Sequence, residues 1–300
     1  MGCISKTDLT INVRNKLAVQ ITFLVLLMIP SLPASAQTSH GTVIVFGVSR
    51  NKVVAAGDSR GLVEGEKPDD HVCKITALGT RLLFTESGTP EERHTILTSK
   101  NWSASKQAFR AFEDFQTSRT KTDAIDEVSA DWLKAMSRIY SRLLNSQREK
   151  LLARDGDVLL TSVFLGLDEN GQIKAREIGI SFDRAAERRG VPKLVVVNQL
   201  WEITDQNVFK VTGHFEIAYE FQAQTSPRAR IAAQRWQLEL NKHFGADADV
   251  LTAVHLLDVS ESFAPEDWGI GGPIDVAEML PKTGVRWIHR KPECPAEGVD

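Results

Sequence analysis

Cysteine is scarce in this chain: Cys3, Cys73 and Cys294 are the only three in 300 residues. Thiols so few and so far apart exclude a disulfide framework and a cysteine-rich metal site. Cys73 precedes Lys74, and alternation along an extended segment sends the two to opposite faces, so Cys73 reads as a buried, inert thiol. An excess of basic charge is also missing. With a net charge of -3 and a pI near 6.2, the chain has no electrostatic footprint for nucleic acid. His71, His94, His214 and His255 lack ligand spacing such as H-E-x-x-H, so neither a metal nor any other cofactor is expected. No internal repeat or low-complexity linker interrupts the sequence, and 42–291 reads as one domain.

Long hydrophobic runs are limited to one. Arg14 and Lys16 precede LAVQITFLVLLMIPSLP, which is short and proline-broken for a membrane span, and ASA at Ala34 to Ala36 is a small-residue cleavage signature. Residues 1–36 therefore read as a signal peptide cut after Ala36, giving a periplasmic or secreted protein. The alternative is an uncleaved N-terminal anchor, the only membrane association expected. The MGC start does not fit lipidation, because Lys6 stands where the myristoylation pattern wants Ser or Thr.

Behind the leader, QTSHG at 37–41 forms a short spacer, and from Thr42 the sequence turns to strands. VIVFGV (43–48) and KVVAAG (52–57) are parted by a hairpin turn, and KITAL (74–78) and TRLLFTES (80–87) by Gly79. The period then changes. Apolar residues recur at three and four from Glu91 through Phe115 and again from Asp123 to Leu152, predicting two amphipathic helices whose aromatics are core. Strands are predicted at 158–167, 174–181, 194–203 and 208–213, with a charged loop or short insert at 183–193. A helix over 226–244 has Ser226 as N-cap and Pro227 in first position, and another follows over 248–263. IDVAEML and GVRWIHR make a last hairpin, and the tail 292–300 is expected to be disordered. Helix pairs alternating with hairpin strands predict an α+β fold, a four-layer αββα sandwich of two antiparallel sheets flanked by helices.

Four positions stand out for chemistry. Thr42 follows Gly41, Asp58 lies sixteen residues on, Lys74 thirty-two and Gly88 forty-six. Singly, Thr42 is a strand-start residue, Asp58 a turn acid and Lys74 a solvating charge. In this register they resemble the start of a proteasome β subunit, and the AAGD turn is also similar to the related bacterial two-component peptidase of the N-terminal-nucleophile (Ntn) hydrolases. EDWGIGGPIDVAEML resembles the family's distal Asp-x-x-Ser-Gly-Gly segment, placing Asp267 on its acid, and VTGHFE resembles its Gly-Ser stretch. The sequence departs from the family at His214 and Ile270, where it has serines.

The resemblance implies a self-processing threonine hydrolase cutting peptide bonds, in which Gly41-Thr42 is cleaved and Thr42 becomes the terminal nucleophile. Asp58 and Lys74 would orient and tune it, the Gly88 N–H would face the oxyanion, and Asp267 would be the second acid. His214 and Ile270 would line the same region. A threonine hydroxyl needs a base, and a terminal α-amino group, with an ordinary pKa of about 7.7–8.0, can serve as one. The substrate expected is a peptide or small amide, and the assembly a homo-oligomer or ring. Two alternatives stay open: a catalytically silent relative used for assembly or binding, and an Ntn acylase acting on small amides.

Overall fold

The computed structural model describes residues 42–61, 68–88, 102–118, 123–146, 158–183, 193–242 and 247–294, without the side chains of 146, 239–242 and 267. The leader, the spacer with Gly41, and the insert at 184–192 lie outside the described residues.

Strands β1 (Val43–Ser49), β2 (Lys52–Gly57), β3 (Ile75–Ala77) and β4 (Leu82–Gly88) open the domain. Helices α1 (Ala104–Thr117) and α2 (Ala124–Ser146) follow, then β5 (Val158–Leu167), β6 (Ile173–Phe182), β7 (Leu194–Leu200) and β8 (Val208–Gly213). Helices α3 (Glu216–Ala223), α4 (Pro227–Lys242) and α5 (Ala248–Phe263) lead through a 3-10 turn, Glu266–Trp268, into β9 (Asp275–Leu280) and β10 (Gly284–His289). The strands form two five-stranded sheets, β10-β9-β2-β1-β8 and β3-β4-β5-β6-β7, and all their pairings are antiparallel. The fold is therefore α+β with two antiparallel sheets.

Alternation along β1 decides what each sheet face covers. Ile44, Phe46 and Val48 join Val53 and Ala55 of β2 in one apolar cluster with Leu83, Val163, Leu165 and Ala175 of the other sheet. Val43 and Val45 face the other way, into a cluster with Ile217, Phe221, Leu256 and Leu257 of the later helices. On the second sheet, Phe84 and Phe164 pack against Trp132, Met136 and Tyr140 of α2. Each such fully buried side chain contributes about 1.5–3 kcal/mol, and the Trp132 indole N–H keeps a partner in the Ala104 carbonyl at 2.9 Å.

Local signals explain most helix boundaries. Ser103 caps α1 by accepting from the Lys106 N–H at 3.0 Å, and the earlier part of the stretch predicted as helix, 91–101, lies outside the described residues. Ser226 accepts from the Ala229 N–H, as the Ser-Pro signature predicts. Helix α3 had no such signal. Its first flank, Phe215, makes no side-chain cap, and its last, Gln224, takes the left-handed conformation usually left to glycine.

Two expectations need correcting. Cys73 is not a buried free thiol: it forms a disulfide with Cys294, 221 residues away, with Cα atoms 5.5 Å apart. The tail expected to be disordered from Pro292 is instead held as far as the buried Cys294. Proximity of two cysteines so distant in sequence is a tertiary outcome that spacing cannot show.

Candidate functional site

One end of the two sheets gathers the polar residues. The start of β1 pairs with the ends of β2 and β8, Ile44 with Gly57 and Val43 with Gly213, while Gly57 pairs with Asp275 at the start of β9. The second sheet contributes Lys74, just ahead of β3, and Gly88, at the end of β4. The sheets meet here, since a Cβ on Gly213 would lie 3.6 Å from the Ser87 Cβ.

Asp58 is at the centre of this end. Its Oδ1 accepts from the Val43 N–H at 2.8 Å, and its own N–H donates to the Val43 carbonyl at 3.2 Å, clamping the residue that follows Thr42. Lys74 Nζ donates to both carboxylate oxygens, at 3.0 and 3.1 Å, and to the Arg60 carbonyl at 2.6 Å. Lys74 and the Val43 amide share Oδ1, so the ammonium is no farther from that amide than the two bonds laid end to end. The Gly271 N–H fills Oδ2 at 3.2 Å. Burial pushes the Asp58 carboxyl up and the Lys74 ammonium down, and the attraction between them opposes both shifts. Four donations to one carboxylate favour its charged form.

Thr42 is itself buried, and its carbonyl accepts from the His214 N–H at 2.9 Å. Gly213 makes this approach possible: its φ is +85°, and a Cβ there would overlap the Thr42 carbonyl. His214 is buried, stacks on Trp268 with ring centroids 4.4 Å apart, and holds Nδ1 3.9 Å from the Glu216 carboxylate. Gly88 has a φ of +106°, with Leu159 O 2.6 Å from where a Cβ would stand.

The distal segment docks on the same carboxylate. Beyond the Gly271 N–H, the Gly271 carbonyl accepts from Ser59 and Arg60, and the Ser59 hydroxyl donates to the Pro273 carbonyl. Arg60 pairs with Asp70 at 2.7 Å and reaches the Ile270 carbonyl at 3.4 Å. The Ile270 side chain, however, packs in the apolar cluster under α5, so only its backbone faces this network. Asp267 lies in the 3-10 turn just upstream, and its side chain is outside the described residues. The structure thus brings together Thr42, Asp58, Lys74, His214 and the Gly271 backbone.

Glu261 escaped the sequence reading. It sits in the last turn of α5, with Oε1 enclosed and no hydrogen-bond partner among the described residues. Burial first, and then the charges of Asp58 and Asp258, push its carboxyl up to about 7. The one signal for it was an acid near a helix C-terminus, against the macrodipole preference. Ser59, Arg60 and Lys291 carried no signal at all.

Among the described residues, no group of three or more His, Cys, Asp and Glu side chains could hold a metal ion, and no helix is long and apolar enough to cross a membrane. No protein-family description matches this chain, and no curated protein is similar to it at a significant level.

Proposed function

We propose that this chain is a self-processing threonine hydrolase of the proteasome-β-like Ntn class, with the αββα layering of that class. The observation that carries the reading is the Asp58 carboxylate, bound to the Val43 N–H beside Thr42, the Gly271 N–H and the Lys74 ammonium at once.

Processing comes first. The Thr42 hydroxyl attacks the Gly41 carbonyl, the Gly41-Thr42 C–N bond breaks as the acyl group moves to oxygen and frees the α-amine, and water hydrolyses the ester, releasing the Gly41 carboxylate and restoring the hydroxyl. That amine then takes the hydroxyl proton when Thr42 attacks a peptide or small-amide carbonyl. The Lys74 ammonium disfavours protonation of the amine, Asp58 holds Lys74 in place, and Asp267 serves as the distal acid. The Gly88 N–H stabilises the oxyanion, a donor whose loss costs on the order of a hundredfold to a thousandfold in rate.

Export through residues 1–36 fits a chain whose Cys73 and Cys294 are joined, because disulfides persist in oxidising compartments. Intact mass and N-terminal sequencing test the reading. The mature chain should begin at Thr42, Thr42→Ala should keep QTSHG and be inactive, and Thr42→Ser should still cleave. Wild-type protein that stays at Gln37, matching Thr42→Ala, would overturn it. In that case the catalytically silent relative stands, a reading favoured by the Ile270 side chain lying in the apolar cluster where the family offers a hydroxyl.

A further inference from the structure

The chain leaves β10 in a short strap, 290–294, that returns to the site from behind. Cys294 N–H donates to the Lys291 carbonyl at 3.1 Å, closing a turn, and the Arg290 guanidinium donates to the Cys294 carbonyl. Lys291 points inward and is buried with Asp275. Its backbone N–H donates to Asp275 Oδ1 at 2.8 Å, and its ammonium pairs with Oδ2 and donates to the Val72 carbonyl at 3.2 Å.

Three consecutive residues are therefore held from three directions. Val72 is held by Lys291, Cys73 by the disulfide to Cys294, and Lys74 by Asp58. Asp275 also sits opposite Gly57, the residue before Asp58, in the β2–β9 register. The strap has little apolar surface to keep it docked, and a buried ion pair roughly breaks even between attraction and desolvation. The covalent tie is what seats Lys291.

We propose that this strap is a working part of the Lys74 site: the Cys73-Cys294 disulfide fastens it beside Lys74 and holds Lys291 there as a second buried cation, a positioning residue for Lys74. The inference rests on the hydrolase reading for its consequence in catalysis, but not for its structural content. A positive charge on Lys291 disfavours the protonated form of Lys74, in the same direction as burial, while Asp58 and Glu261 oppose it. Two cations behind Thr42 also favour the neutral, base-competent form of its amine.

The test titrates Lys74 by NMR of its side chain in the full mature protein, with Lys74→Arg assigning the signal. Cys73→Ser/Cys294→Ser keeps every charge and frees the strap; Lys291→Met/Asp275→Asn keeps the tether and removes the pair. Freeing the strap should raise the Lys74 pKa by about one unit, a typical effect of losing one nearby like charge, and removing the pair, which takes away an opposite charge with the like one, should raise it by less. Lys291→Arg should leave it unmoved. In the active enzyme the freed strap should shift the acid limb of the kcat/KM profile upward, with about tenfold less activity below the limb and an unchanged KM. An identical Lys74 titration in wild type and both folded variants would overturn the proposal. Loss of the whole fold in both, seen by circular dichroism, would make the strap a stability element and overturn it as well. A shifted Lys74 in a chain never processed at Thr42 would leave the strap standing and refute the hydrolase reading alone.

Discussion

Two lysine–aspartate pairs are buried at the same end of this protein, and they are built differently. Asp58 divides its carboxylate among Lys74, the Val43 N–H and the Gly271 N–H, so one side chain fixes a cation, the start of β1 and the distal loop. Asp275 binds Lys291 through its ammonium and its backbone N–H, and its Oδ2 lies 3.4 Å from Cys294 Sγ. Neither pair is explained by stability, since well-packed apolar side chains could replace a buried pair at no loss. The difference lies in what else the aspartate holds. The first pair holds the residue next to Thr42; the second lies in a strap that the Cys73-Cys294 disulfide fastens.

Removing the acid should separate them most clearly. Asp58→Ala leaves Lys74 buried without its countercharge and strands two backbone N–H groups, so it should cost about 3–5 kcal/mol in urea unfolding and abolish processing at Thr42. Asp275→Asn keeps an acceptor for the Lys291 N–H and should cost less and still give the mature N-terminus. Equal losses in the two would erase the distinction.

Next in size is a change that touches neither charge. Gly213→Ala puts a Cβ onto the Thr42 carbonyl at a left-handed backbone position, and should lose on the order of 1–3 kcal/mol together with the geometry of the Thr42 peptide. Unchanged processing in this variant would show that the charges alone align the site.

Glu261 acts on the first pair and gives it a pH dependence. Its carboxyl stands at about 7 in the fold against an ordinary 4.5, so its contribution favours the folded state at low pH and is lost as pH rises through about 7. Glu261→Gln should therefore stabilise the protein by roughly 1 kcal/mol at about pH 8, a figure discounted for its half-exposed position, and do nothing near pH 4. Thermal melts at the two pH values decide it; a gain at the acid end would reverse the sign and sink the idea.

The smallest effect sets the baseline. Glu220 and Arg228 pair at the surface at 2.5 Å, where solvent screens them, and Glu220→Gln should leave the melting temperature within measurement error. A large loss there would blur the contrast between exposed and buried pairs.

Much of this was legible from residue order. The strand hairpins, the helix caps at Ser226 and the spacing of Asp58 and Lys74 from Thr42 are local or evenly periodic features, and the chain displays them directly. Helix α3 was not legible, because neither flank carries a capping residue. Ile270 was expected among the site-lining residues and shows why position in a motif is not orientation: its backbone reaches Arg60 while its side chain goes to the core.

The sequence by itself determined the alternation that gives each strand its two faces, the helical period that gives each helix an apolar face, and the residue types, Thr42, Asp58 and Lys74, from which the proposed function starts. Those are properties of neighbours along the chain. Only the tertiary structure decided that Gly271 would complete Asp58 from 213 residues away, that Glu261 would lie within reach of the same charge, and that Cys294 would close on Cys73 and carry Lys291 in beside Lys74. The physical reason is that electrostatics and disulfide geometry act through space over a few ångströms, and separation along the chain does not encode which distant segments the packing of two sheets will bring to one end.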